Sequence, residues 1–197
     1  MAEDVEGLTS PVRVRYFSGM LLTAEDFETD QTYHRYKRML HNRYLHGAGV
    51  VWGLEVSVSG AGAITVEPGL AVDSFGREIV VPEPATAQLP DPPGDLLRVC
   101  LEYDEVETDP EPAPNVAADG AQASRIREGY RIHVIPMTSE GEDGSEDEDG
   151  CVVLATIRAS SGSFRVDVAG RSMLQGPSAL HRLIEGLSHR SAELEEP

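Results

Sequence analysis

Histidines are the first residues in this chain that could do chemistry, and three of the six lie close together at His34, His41 and His46. On one helix His34 and His41 would be two turns, or about 10 Å, apart, which is too far for both to bind one zinc ion. They could share an ion only across a symmetry axis, with ligands from several copies. We therefore predict no metal site and expect these side chains to hydrogen bond or to pack between chains.

The segment DSFGREI holds a second candidate, since Asp73, Arg77 and Glu78 could form an acid pair with a nearby base. Asp and Gly are typical of tight hairpin turns, and neighbouring strand residues such as Arg77 and Glu78 point to opposite faces. This pattern predicts a turn with a surface ion pair.

Sequence motifs for catalysis or ion binding are absent. The chain contains no GxSxG, HExxH, Walker, GxGxxG or CxxC pattern. The acidic run GEDGSEDEDG resembles a calcium loop only in composition, because its ligands are out of register. We predict no catalytic residue, no cofactor and no enzyme activity, although carboxylates brought together by the fold remain an alternative.

Composition limits the partners of this 197-residue chain. Its net charge is −18, and one Lys, Lys37, stands among 16 basic residues. Such a chain is repelled by nucleic acid and by anionic membranes. A high-salt cytoplasm explains the excess of acids and of Arg over Lys, and a GC-rich genome with one acidic loop explains it equally well.

Targeting signals are not evident. The N-terminal residues are acidic and lack the apolar core of a secretory signal, and no apolar run is long enough to cross a bilayer. We expect folding in the cytoplasm, with possible release in a larger particle. Cys100 and Cys151 are far apart and are expected to be buried core residues.

One long helix is predicted from Ala24 to about His46. Thr23 can cap it, Asp26 stands where a capping box needs an acid, and Gly47 ends it. One row of its side chains is a candidate core stripe and consists of Tyr33, Tyr36, Leu40 and Tyr44. A second row, called the seam here, is too polar for a core and suits an interface; it consists of Phe27, Gln31, His34, Arg38, His41 and Leu45.

Short strands account for most of the remaining sequence. A first strand is predicted at Val12 to Tyr16, a meander from Val50 to Val81, and further strands at 96–103, 130–134, 151–157 and 164–168. A long loop is expected from Asp104 to Gln122 and a short helix from Pro177 to about His189. Trp52 beside Gly53 is expected to lie over bare backbone, either as core or as part of an interface.

These elements predict an α+β fold in which the long helix packs on a mainly antiparallel sheet or sandwich, with a short C-terminal helix. We divide the chain into an acidic arm and first strand (1–14), the helix with its meander (15–82), a Pro-rich linker or edge wrap (83–95), a second β-rich part (96–170) and a C-terminal helix and tail (171–197).

The strings RYFSGMLL, YHRYKRMLHNRYLH, GAGVVWGLEV and PGLAVDSFGREI resemble a family of small proteins encoded with phage-tail-like contractile injection systems. The weaker segments ASRIREGY and CVVLATI extend the resemblance over most of the chain. It implies a non-enzymatic structural component at the baseplate or another tail attachment point, with other tail or baseplate proteins as partners. The polar seam of the helix adds the expectation of a homo-oligomer or of a place in a symmetric ring. The acidity of the arm and loops departs from that family.

Two other functions remain as alternatives. Trp52 and exposed tyrosines could form the platform of a carbohydrate- or surface-binding module, and an enzyme acting on cell-wall glycan is the weaker option. Binding to a glycan array would support the first alternative, and turnover of peptidoglycan would support the second.

Overall fold

The computed structural model describes residues 8–60, 62–90, 94–112, 121–137, 150–160 and 163–174. These residues form one long helix and a set of antiparallel strands, which confirms the α+β class. The predicted C-terminal helix, most of the acidic run after Ser139 and the first seven residues lie outside the described ranges.

The long helix begins and ends where the sequence predicts. Helix α1 spans Ala24–His41 and continues as a π-helical turn over Asn42–His46, just before Gly47. Thr23 Oγ1 accepts from the Asp26 N–H at 3.4 Å, and the Asp26 carboxylate accepts from the Thr23 N–H at 2.9 Å. The predicted capping box is therefore present, and it satisfies backbone N–H groups that have no partner within the helix.

Ten strands follow the helix among the described residues. In chain order they are β1 (Gly49–Gly53), β2 (Val56–Val58), β3 (Ala63–Val66), β4 (Gly69–Val72), β5 (Glu78–Val81), β6 (Ala85–Gln88), β7 (Leu96–Pro112), β8 (Ala121–Pro136), β9 (Val152–Ser160) and β10 (Ser163–Asp167). They form three sheets with the orders β1-β4-β5, β2-β3-β6 and β10-β9-β7-β8. Every pairing of these strands is antiparallel, as the Gly-rich turns predict.

Two predicted segments differ from the structure. Residues 12–16 form no strand, because no described strand lies beside them to pair with their backbone. The predicted loop at 104–122 is wrong over most of its length, since β7 runs to Pro112 and β8 begins at Ala121. Arg131 on β8 donates to Asp104 on β7 at 2.8 Å, and this cross-strand ion pair supports a ribbon that composition alone does not predict. Within the Pro-rich segment, β6 pairs with β3 as an edge strand.

The hydrophobic core lies among the three sheets and contains no residue of α1. Its fully buried members alternate along the strands and include Val50, Leu54, Ile64, Val66, Ile79, Leu97, Val99, Leu101, Leu154 and Ile157. Cys100 is buried as expected, and Cys151 is half-buried. The candidate core stripe of α1 is wrong: Tyr33, Tyr36 and Leu40 are only half-buried and Tyr44 is exposed.

Candidate docking interface

The seam predicted from helical spacing is exposed along its whole length. Phe27 has 52% and Leu45 has 70% of its surface accessible, and Gln31, His34, Arg38 and His41 between them are also exposed. Residues three and four apart share one face of a helix, so these side chains form a continuous row. Their role in an interface stays a prediction.

The opposite side of α1 is covered by the chain's own N-terminal segment, residues 8–22. The Tyr36 hydroxyl accepts from the Thr9 N–H at 3.0 Å and donates to the Thr9 carbonyl at 3.1 Å. Residues Thr9 to Val12 line a shallow groove together with Glu25, Thr32 and Tyr36 of the helix. At about 100° per residue these helix positions lie across the axis from His34, so this segment leaves the seam uncovered.

The N-terminal segment itself carries large apolar side chains in water. Leu21 is 85% exposed, and the others with at least two fifths of their surface accessible are Leu8, Val12, Tyr16, Phe17 and Leu22. Apolar side chains that form a contiguous exposed patch commonly mark a contact with another protein. The sequence interpretation missed it, although the aromatic and leucine-rich string RYFSGMLL in a segment without regular structure is a signal for it.

The C-terminal end of α1 is fastened to the turn between β4 and β5. Asn42, which is buried, donates from Nδ2 to the Gly76 carbonyl and to Glu78 Oε1, each at 3.1 Å. Gly76 has φ +85°, and a Cβ there would collide with the Met39 carbonyl. The helix backbone therefore rests directly on the turn, which only glycine permits.

A buried carboxylate organises that turn. Asp73 is fully buried and accepts from the N–H groups of Phe75 at 3.0 Å and Arg77 at 2.8 Å, and from Arg77 Nε at 2.5 Å. The prediction of a surface ion pair in this turn is therefore wrong. Arg77 pairs with the buried Asp73, and Glu78 pairs with Arg38 instead, with 3.7 Å between Arg38 Nε and Glu78 Oε2. These bonds satisfy the buried charge, which is what a structural role requires.

A crevice of about 340 Å³ separates the C-terminal half of α1 from β7 and β8. Each of its three arginines is paired with a carboxylate: Arg35 with Glu105 at 3.4 Å, Arg38 with Glu78 and Arg77 with Asp73. The Tyr103 hydroxyl donates to Glu105 at 2.7 Å, and burial together with the neighbouring carboxylates raises the pKa of Tyr103. The crevice is therefore lined by paired charges that hold the helix to the sheet.

Trp52 lies on the surface and not in the core, with 66% of its area exposed. It stands opposite Leu70 on β4, which stands opposite Val80 on β5, so the three side chains form one cross-strand row. Val51, Val168 and Met173 border the Trp52 ring around a shallow depression. The interpretation of Trp52 as core is wrong, and its assignment to an interface stays a prediction.

Among the described residues, no group of three or more His, Cys, Asp or Glu side chains is arranged to hold a metal ion. No helix in the same residues is long and apolar enough to cross a membrane.

Comparison with known proteins gives similarity at the level of fold. The chain matches a subunit of the type VI secretion system TssK-TssF-TssG baseplate subcomplex with a TM-score of 0.53 and 14% identity, covering 93% of this chain and 70% of that one. It matches a crystal structure of TssK with a TM-score of 0.47 and 14% identity over 80% of this chain. TssK from the EAEC type VI secretion system, bound to a nanobody, gives a TM-score of 0.48, 16% identity and 82% coverage.

The chain spans 41% of the TssK crystal structure and 62% of the nanobody-bound TssK. No protein-family model matches the sequence, and no curated protein matches it either. At these identities the similarity to the baseplate subcomplex establishes a shared fold.

Proposed function

We propose that this chain is a non-enzymatic structural subunit of a phage-tail-like contractile injection system, at the baseplate or another tail attachment point. It docks through the seam of α1, with Trp52 as a further contact. Its partners are other tail or baseplate proteins, and copies of the chain form a homo-oligomer or a symmetric ring. The subunit assembles in the cytoplasm as part of a particle that the cell can release.

The exposed seam is the observation that carries this proposal. Helix α1 has no buried residue, yet it is capped and fastened at its far end. Complete burial of a fully exposed apolar side chain is worth about 1.5–3 kcal/mol, and the single chain forgoes roughly half of this at Phe27 and more at Leu45. The fold similarity to a subunit of a TssK-TssF-TssG baseplate subcomplex supports a role in such an assembly.

Complementation of a gene deletion tests the function directly. We expect deletion to abolish contractile particles, as counted by electron microscopy after sedimentation, and the wild-type gene to restore them. A Phe27→Asp gene should fail, because a carboxylate at the seam cannot be buried without a partner. Thr86→Asp, at an exposed position on β6 and away from α1, serves as the matched control and should restore particles. Normal particles in the deletion strain, with a chain that stays monomeric beside its tail neighbours, would refute the proposal.

A carbohydrate- or surface-binding module is the second candidate, and the exposed ring of Trp52 favours it. An accessible indole face with Glu55 and Arg171 nearby could stack on a sugar ring. Wild-type protein would then bind a glycan array, Trp52→Ala would lose that binding, and Phe27→Ala would keep it. Absence of binding by the wild-type protein would remove this candidate and leave the structural role untouched.

A further inference from the structure

His41 and His46 bring two ring nitrogens within hydrogen-bond distance of each other. Their Nε2 atoms are 3.2 Å apart, and the ring centroids are 5.0 Å apart with the planes at 62°. Both side chains are exposed. The pair lies outside the contacts that fasten the helix to the sheets.

The π-helical turn brings these two rings together. Residues five apart in a regular α-helix are separated by about 140° around the axis. In the turn at Asn42–His46 the Gly47 N–H bonds to the Asn42 carbonyl at 2.9 Å, five residues back, which widens the turn. Such turns are uncommon and occur often at functional sites.

We propose that His41 and His46 form a two-imidazole chelate for a divalent transition-metal ion such as Cu²⁺, Ni²⁺ or Zn²⁺. Two nitrogens bound to one tetrahedral zinc at the usual 2.0–2.1 Å are about 3.3 Å apart. The observed separation of 3.2 Å already matches this value. In the absence of an ion, one ring donates a hydrogen bond to the other, and binding of an ion requires the rings to rotate so that both nitrogen lone pairs point at the metal.

The site is open, because none of the described residues completes a set of three or more ligands. Water or a ligand from another molecule fills the remaining positions. None of the described residues adds a third ligand to the two rings, so affinity should follow the general order of imidazole sites, with Cu²⁺ bound more tightly than Ni²⁺ or Zn²⁺. This proposal replaces the sequence-based prediction of no metal, and it does not depend on the docking role of the seam.

Calorimetric titration of Cu²⁺, Ni²⁺ and Zn²⁺ into the metal-free full chain tests the proposal. We expect one ion per chain at this site for the wild-type protein and for His34→Ala, a matched control on the same helix. His41→Ala and His46→Ala should each lose at least about tenfold in affinity, since even an outer-shell contact to a metal contributes that much. Both residues are exposed, so the variants should keep the wild-type circular dichroism spectrum.

Electron paramagnetic resonance of the Cu²⁺ complex provides a second readout, with hyperfine coupling to two nitrogens in the wild-type protein and to fewer in each single variant. Unchanged affinity in His41→Ala and His46→Ala, or no binding by the wild-type chain at millimolar ion, would overturn the proposal. Unchanged affinity in both variants would place the ligands elsewhere, for example at His181 or His189.

Discussion

At the scale of single residues, the buried carboxylate of Asp73 has the largest structural role that a substitution can test. Asp73→Ala removes the acceptor for two backbone N–H groups and leaves the guanidinium of Arg77 without its partner. Loss of one member of a partly buried pair of this kind costs about 3 kcal/mol in the free energy of unfolding. Chemical denaturation measures it, and Asp73→Asn should cost less because one acceptor oxygen remains.

Glu67→Ala is the control for that substitution. Glu67 is an exposed acid near the same sheet, and its loss should change stability by no more than about 0.5 kcal/mol. An Asp73→Ala chain that unfolds at the same denaturant concentration as the control would show that the turn is not held by its carboxylate.

The sequence predicts a turn here from Asp and Gly, but it does not predict the buried pair. Strand alternation sends Arg77 and Glu78 to opposite faces, whereas the turn returns Arg77 to Asp73, four residues back.

Tyr103 and Tyr36 should titrate at opposite ends of the tyrosine range. Burial and then the hydrogen bond to Glu105 raise the pKa of Tyr103, whereas the hydrogen bonds to Thr9 lower the pKa of Tyr36. A raised folded-state pKa favours the neutral phenol. The stability that Tyr103 contributes is therefore present below its unfolded value near 10 and is lost as the pH rises beyond it.

Ultraviolet titration of tyrosinate absorbance measures this difference. Wild-type protein and Tyr103→Phe should give the same curve up to about pH 10, because Tyr103 keeps its proton there. Tyr36→Phe should remove an early component of the curve. Loss of an early component in Tyr103→Phe would mean that the ring is more solvated than the structure shows.

At the scale of elements, local chemistry determines where α1 begins and ends, but it does not determine how much of the helix is exposed. Thr23, Asp26 and Gly47 act within a few residues, so the sequence shows where the helix begins and ends. The apolar row of Tyr33 and Tyr36 predicts a buried face, but periodicity does not say what covers it. In this chain the N-terminal segment and the end of the β4–β5 turn cover α1 only in part.

Hydrogen exchange should distinguish how much the N-terminal cap of α1 and its attachment at Asn42 each stabilise the helix. Asn42→Ala removes the bonds to Gly76 and Glu78, and an isolated helix of this length is marginal in water. We expect amide exchange to become faster along all of α1, because the free energy of opening the helix should fall by about 1 kcal/mol. Thr23→Ala is the matched comparison and should affect only the first turn at a similar cost. Exchange that stays at the wild-type rate in Asn42→Ala would mean that other contacts hold the helix.

The ribbon of β7 and β8 is the element that sequence analysis predicts least well. Pro, Asp and Glu between 104 and 122 predict a loop, but β7 and β8 pair from Leu97 to Pro112. Strand β9 covers β7 only as far as Leu101, so the rest of the ribbon is two-stranded over about 35 Å. Two-stranded ribbons are barely stable alone.

Exchange rates along one strand test this description of the ribbon. Amides at Glu105–Asp109 should exchange faster than those at Leu97–Leu101, which have strands on both sides. The inner stretch of the same strand serves as the control. Equal protection in both stretches of the purified chain would indicate that a second copy covers the outer ribbon.

At the scale of the whole molecule, the net charge of −18 opposes the compact state. Raising NaCl from 0.1 to 1 M shortens the screening length from about 10 to about 3 Å, so repulsion among the acids should fall. We expect the melting temperature to rise over this range, and KCl to act equally because ionic strength sets the screening. A melting temperature that falls with salt would mean that ion pairs such as Arg35 with Glu105 outweigh the repulsion.

Assembly is the property that decides between a seam and an ordinary exposed helix face. Replacing His34 and His41 together by Ala removes two polar contacts from the centre of the seam but no contact to the core. We expect the free energy of association of the double variant with its neighbours to weaken by about 1–3 kcal/mol, while its unfolding free energy changes by less than about 0.5 kcal/mol.

Co-purification of tail components and chemical denaturation measure the two quantities, and EDTA in both experiments removes any contribution from a bound ion. Glu83→Ala with Thr86→Ala, both exposed in or just before β6 and away from the seam, should leave both quantities unchanged. Equal losses in assembly and stability would instead assign the histidines to the fold of the single chain.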